Sequence, residues 1–264
     1  MQPQILALDM DGTLLRSRRE VSPGHQALIE ACRQRGIEVV IVTGRPLLTA
    51  RWGWDELGFT NELVCFNGAW VGIPGKAPLV SRPLDETAVR DVLTTLASFP
   101  GTINVYPDPM VWRVNRHTDY TRHWPELYEV SIDEWPDIAA EWSGCSCKIM
   151  YVDEPAGVSA AFGELCAALG DRYHVVASEC DRVEIHDRTA TKAWGLAQIA
   201  AARGVPREAV WAVGDGDNDR EMISWAGTGF AMGNASPGLR AVADALLPSV
   251  HDDGLLQLLE RMGE

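Results

Sequence analysis

ILALDMDGT, residues 5–13, is the stretch on which the fold turns. Four apolar residues run without polar alternation and stop abruptly at Asp9, the pattern of a strand buried on both faces. Three further runs end the same way: VVIV before Thr43, LVCF before Asn67, and VWAV before Gly214-Asp215. Between the first two lies SPGHQALIEACRQRG. Ser22 suits a helix N-cap, Pro23 the first helical position and Gly36 the stop. Strand, helix and strand at this spacing predict an α/β fold with a doubly wound parallel sheet and right-handed crossovers.

Residues 82–188 read differently. Val89, Val92, Leu93 and Leu96 follow helical spacing, and TINVY and VWRVN follow as strands joined by Pro107-Asp108-Pro109. CKIMYV reads as another strand, and Val158, Phe162, Leu165 and Leu169 mark one face of a second helix. RYHVVA and RVEIH form a last strand pair. Hairpins mixed with helices predict an α+β insert with its own sheet. The expected organisation is a core of residues 1–81 and 189–264, interrupted by an insert of residues 82–188.

With 264 residues there is material for one large core or a core plus a smaller domain. Acidic residues outnumber basic ones 37 to 23, a net charge of -14, which disfavours binding along a nucleic-acid backbone. No apolar run approaches the ~20 residues of a membrane span, and the opening MQPQILALD lacks the basic region of a secretory signal. A cytoplasmic location is expected, with all six cysteines reduced and mostly buried. Cys145-Ser-Cys147 has no second half for a zinc site, and Asn234-Ala235-Ser236 is set aside as a glycosylation signal.

In open parallel sheets, ligands bind beyond the carboxyl ends of the strands. Three polar clusters fall there: residues 9–13, Thr43-Gly44-Arg45, and GDGDND at residues 214–219. Asp9 and Asp11, two apart, project to one side while the chain is extended, and Gly12 permits a sharp turn after them. Asp215 and Asp219 add two more carboxylates. So many negative groups need a cation, and an all-oxygen donor set favours Mg²⁺. A calcium loop is excluded because its sixth and twelfth positions would be Arg220 and Ala226. The Thr43 hydroxyl, the backbone amides near Met10 and Gly44, and Lys192 suit an anion. Carboxylates, a divalent cation and an anion cradle together point to phosphoryl transfer.

With these motifs in place, the chain resembles the haloacid dehalogenase-like hydrolase superfamily, and within it the Cof-type phosphatases that carry a large cap between the second and third motifs. DMDGTLL matches the first motif, VTGRP the second, Lys192 the third and GDGDND the fourth. FNGA at residues 66–69, AMGNA at residues 231–235 and Asp253-Gly254 match further positions. The resemblance implies that Asp9 is the nucleophile of an aspartyl-phosphate intermediate and Asp11 the general acid and then base. It implies Mg²⁺ on the Asp9 carboxylate, the Asp11 backbone carbonyl and Asp215, with Asp219 as ligand or support. Met10, Thr43, Gly44, Lys192 and Asn218 would hold phosphate. The third motif departs from the usual Lys-Gly, since Ala193 and Trp194 follow Lys192, a change that could move the helix start.

The resemblance implies a cap that excludes water and selects the leaving group. Arg113, Arg116, His117, His186 and Arg188 in the insert, with Arg45 on the core, are its candidate substrate contacts. A solvated charged face accounts for the insert residues equally well, and most of the 10 tryptophans suit burial. The expected partner is a phosphorylated small molecule, most simply a sugar phosphate, with neither nucleic acid nor membrane involved. A phosphomutase is the alternative reaction. A phospho-acceptor or silent binding module is the alternative class, and receiver domains of that kind are about half this length.

Overall fold

A computed structural model describes residues 2–263. The chain divides into two compact units. Among the described residues, the first comprises residues 2–45, 50–80 and 191–263, and the second residues 46–49 and 81–190.

The first unit is built on a five-stranded parallel sheet. Its order is Ala245–Leu246, Thr228–Ala231, Val210–Gly214, Ile5–Leu8 and Glu38–Ile41. The two central strands are buried along their full length, as their unbroken apolar runs require. Ile5–Leu8 pairs with Val210–Gly214 on one side and Glu38–Ile41 on the other. The chain therefore winds outward in one direction from Ile5–Leu8 and in the opposite direction from Val210–Gly214. Asp9 and Asp215 follow directly on the two strands where the winding reverses, the position at which open parallel sheets take their ligands. The helix Pro23–Gln34 connects the first pair, with the Ser22 hydroxyl accepting from the His25 amide at 3.1 Å and Gly36 at φ 72° beyond its end.

Two features differ from the sequence reading. Leu63–Cys65 pairs antiparallel with Trp70–Gly72 in a separate three-stranded sheet and meets the parallel sheet through an isolated parallel bridge between Val42 and Val64. A tight turn at Phe66–Gly68 sends the chain straight back, which a run of apolar residues cannot disclose. A short hairpin, Leu15–Ser17 with Glu20–Val21, intervenes before the first helix.

The second unit has a six-stranded sheet in the order Asp133–Glu134, Val111–Val114, Thr102–Asp108, Ile149–Val152, Arg182–His186 and His174–Glu179. The helices Glu86–Leu96 and Pro155–Leu169 pack their apolar stripes on one face, meeting Ile103, Val105, Ile149, Tyr151, Val183 and Ile185. Asp85 caps the first helix, accepting from the Ala88 amide at 2.8 Å. Alternation sends Asn104 and Glu184 to the opposite face, where Asn104 accepts from the Trp112 indole at 2.8 Å. There Lys148 donates to Glu184 at 2.6 Å, both almost fully buried. Of the six cysteines, Cys32, Cys65 and Cys147 are buried, Cys166 is half-buried, and Cys145 and Cys180 are exposed. All six are free thiols, but the expectation of general burial holds for only half of them.

Burial alone would raise the Glu184 carboxyl, but the Lys148 charge and hydrogen bond outweigh it and hold it below its ordinary 4.5. A depressed folded-state value contributes stability above pH ~4.5 that is lost as pH falls through the folded value. Glu184→Gln should therefore cost roughly 3–5 kcal/mol in urea unfolding at pH 7, because it removes the countercharge of a buried ammonium. The loss should shrink in acid, and Lys148→Met with Glu184→Leu should recover most of it.

Candidate active site

The site is assembled from strand ends. Leu8 lies beside Val213 in register, and the Asp9 amide donates to the Val213 carbonyl at 3.0 Å, so the first carboxylate leaves the sheet next to the fourth motif. The Met10 carbonyl accepts from the Leu14 amide at 3.0 Å and the Leu15 amide at 2.7 Å, curling residues 10–15 into a tight loop. Gly12 stands at φ 77°, and a Cβ there would lie 2.1 Å from Asp215 Oδ2. Only glycine lets these two segments approach so closely.

Lys192 begins the helix Lys192–Arg203. Thr191 caps it, its hydroxyl accepting from the Trp194 amide at 3.1 Å, so Ala193 and Trp194 leave the helix start in place. The Lys192 ammonium donates to Asp9 Oδ1 and to Asp219 Oδ1, both at 2.6 Å. Asp219 Oδ2 in turn accepts from the amides of Asp215 and Gly216, each at 3.0 Å. Both Asp219 oxygens are thus engaged within the protein, and Asp219 is fully buried. Asp9, Asp215 and Asp219 each present an oxygen within 4.8 Å of the others.

Electrostatics follow from this crowding. Burial, then Asp219 and Asp215, raise Asp9 well above the usual carboxylate range against the pull of Lys192. Burial and then Asp219 push Asp215 up to about 7. Burial works against the Lys192 charge, but Asp219 and Asp9 more than compensate and keep it protonated. Two oxygen donors held above their normal range beside a third carboxylate form a donor set suited to a hard divalent cation, which would restore them to the ionised form.

The remaining core residues named from sequence also come together. Thr43 is buried, and its hydroxyl accepts from the Arg45 amide at 3.1 Å. Asn218 donates its side-chain amide to Asn67 Oδ1 at 3.0 Å, and a Cβ on Gly44 would sit 2.8 Å from that same oxygen. Arg45 grips Asp11 with two bonds, Nε to Oδ2 at 2.7 Å and Nη2 to Oδ1 at 2.5 Å, and also donates to the Arg18 carbonyl at 3.1 Å.

Two residues given no role from sequence belong here. Asn67 is one. Asn234 is the other: its amide donates to the Gly12 carbonyl at 2.8 Å and Asp215 Oδ2 at 3.1 Å, while its oxygen accepts from the Val250 amide at 3.0 Å. Both lay within the FNGA and AMGNA runs, which were the available signals.

The insert candidates lie in the second unit and are engaged locally. Arg113 stacks over Trp135 at 5.1 Å, Arg116 donates to the Phe99 carbonyl at 3.3 Å, and the His117 amide donates to Glu134 at 3.4 Å. His186 is buried against His174 at 4.7 Å, with burial lowering it to about 4. Arg188 donates to the carbonyls of Gly170 and Asp171 at 3.1 and 2.7 Å.

The haloacid dehalogenase-like hydrolase family model matches residues 6–259. The chain belongs to that family. It is 26% identical to the phosphatase YwpJ of Bacillus subtilis, over 98% of this chain and 99% of that one. It is 28% identical to the 5-amino-6-(5-phospho-D-ribitylamino)uracil phosphatase YitU of the same organism, over 98% and 97%. A crystal structure of a haloacid dehalogenase-like hydrolase from Bacteroides thetaiotaomicron superposes with a TM-score of 0.87 at 26% identity, covering 99% of this chain and 100% of that one. The chain is accordingly an enzyme, a phosphatase of this family. Among the described residues, no helix is long and apolar enough to cross a membrane.

A carboxyl raised in the folded state is protonated there while ionised in the unfolded chain, so its contribution falls as pH rises from ~4 toward its folded value. Metal-free protein should therefore gain more melting temperature from an added hard divalent cation at pH 7.5 than at pH 5.5. The difference should largely disappear in Asp215→Asn, as read by thermal denaturation.

Proposed function

We propose that this hydrolase is a Mg²⁺-dependent phosphatase that cleaves the phosphate monoester of a small metabolite, of the sugar-phosphate class, through an aspartyl-phosphate on Asp9. The observation that carries the reading is the Lys192 ammonium bonded at once to Asp9 and Asp219, with Asp215 alongside. That arrangement holds one Asp9 oxygen on a fixed cation and leaves Oδ2 to attack. The relative whose name carries a phosphoribityl group supports a small phosphorylated substrate.

Asp9 Oδ2 attacks phosphorus, the P–O bond to the leaving group breaks, and Asp11 gives its proton to the departing oxygen. Asp11 then takes a proton from water, whose oxygen attacks phosphorus, and the bond to Asp9 breaks to release phosphate. Asp11 is more than half exposed, which allows its pair with Arg45 to open for these transfers. The domain roles follow the same reading: the first unit is the hydrolytic core, and the inserted unit is the cap that selects the leaving group.

Mg²⁺ held by Asp9, Asp215 and the Asp11 carbonyl would neutralise charge on the phosphoryl oxygens. Asp219 acts as a brace, since its oxygens hold Lys192 and the amides of Asp215 and Gly216. Thr43, the Met10 and Gly44 amides, Lys192 and Asn218 hold the phosphoryl group by hydrogen bonds.

Asp9→Asn retains an acceptor for Lys192 and should fold, yet phosphate release should fall by on the order of 10⁴-fold or more. Chelation should abolish wild-type turnover, with Mg²⁺ restoring it and Ca²⁺ not. A release screen over sugar phosphates, nucleotides and phosphoglycerates, with Asp9→Asn as control, reads both outcomes.

A further inference from the structure

The turn after Leu63–Cys65 holds an unusual backbone. Phe66 and Asn67, neither of them glycine, stand in series at φ 52° and 54°, and Gly68 follows at 106°. Side-chain-bearing residues avoid this region, and a consecutive pair persists only where its surroundings over-determine it. Here they do. The Phe66 amide donates to the Arg45 carbonyl at 3.0 Å and the Asn67 amide to the Thr43 carbonyl at 3.1 Å. On the other side, a Cβ on Gly68 would lie 2.1 Å from the carbonyl of Thr191, the residue that caps the Lys192 helix. At the centre, Asn67 is 5% exposed and its Oδ1 accepts the Asn218 amide while resting against Gly44. One strained turn thus touches the segments that carry Thr43–Gly44, Lys192 and Asn218.

We propose that Asn67 is a positioning residue for the phosphoryl group. By accepting one N–H of Asn218, it fixes which way that carboxamide faces and leaves the second N–H for a phosphate oxygen. By resting on Gly44, it sets the gap between Asn218 and the Thr43–Gly44 loop. The left-handed backbone is what brings the carboxamide to that point. The inference rests on the reading of Asn218, Thr43 and Gly44 as phosphate ligands.

Asn67→Gly tests it, because glycine accepts the turn's dihedrals while removing the acceptor. The turn should be kept, with a modestly lower melting temperature from the lost buried acceptor, so phosphate affinity is the readout that decides. Its KM for the phosphate ester, and its dissociation constant for inorganic phosphate measured calorimetrically in saturating Mg²⁺, should both rise about tenfold. In an Asn218→Ala background the same substitution should have little further effect, since its target is already gone. A structural role alone would lower the melting temperature and leave phosphate affinity unchanged. Wild-type phosphate affinity in Asn67→Gly, or full additivity with Asn218→Ala, overturns the positioning role while the phosphatase reading stands. A wild-type protein that neither turns over phosphate esters nor binds inorganic phosphate overturns both.

Discussion

An ammonium group sealed between two carboxylates organises this molecule. Lys192 is fully buried, and an uncompensated charge at such depth would be expelled or neutralised. Asp9 and Asp219 keep it charged, each with a bond of 2.6 Å. Those bonds join three segments that the sequence separates by 183 and 27 residues. Asp219 extends the link by accepting two amides from residues 215 and 216, so the backbone that presents Asp215 is tied to the same lysine. Removing one partner would leave a buried charge behind, which makes the triad structural as well as chemical.

The scaffold around it follows from simple requirements. A parallel sheet whose strands emerge at one edge gathers their following residues without long connections. Glycine is needed where backbones must nearly touch, as Gly12 does with Asp215. Where a side chain is needed at such a place, as at Asn67, the strained backbone is tolerated and held by hydrogen bonds on either side.

Much of this was legible in the residues. The central strands announce themselves because a two-sided environment demands unbroken apolar runs, and Ser22 and Pro23 mark their helix by capping chemistry that works locally. The convergence of Asp9, Thr43, Lys192 and Asp215 follows once those strands are parallel. Other features depend on tertiary partners. Leu63–Cys65 carries the apolar signature of a central strand, yet its sheet is set by the reversal at Phe66 and Asn67, whose left-handed conformation no propensity favours. Asn234 was given no role because the hydrogen bonds that place it reach residues 12, 215 and 250, far along the chain. The short strands Thr228–Ala231 and Ala245–Leu246 were hidden by their glycine and small residues.

Those bonds of Asn234 have a bearing on synthesis. Translation proceeds from the amino end at roughly 5–20 residues per second, and Gly12 leaves the ribosome long before Val250 does. Asn234 bridges both, and Asp215 between them, so its contacts are complete only once residue 250 has been made. A chain cut ahead of residue 250 would lack the Val250 amide from which the Asn234 oxygen accepts.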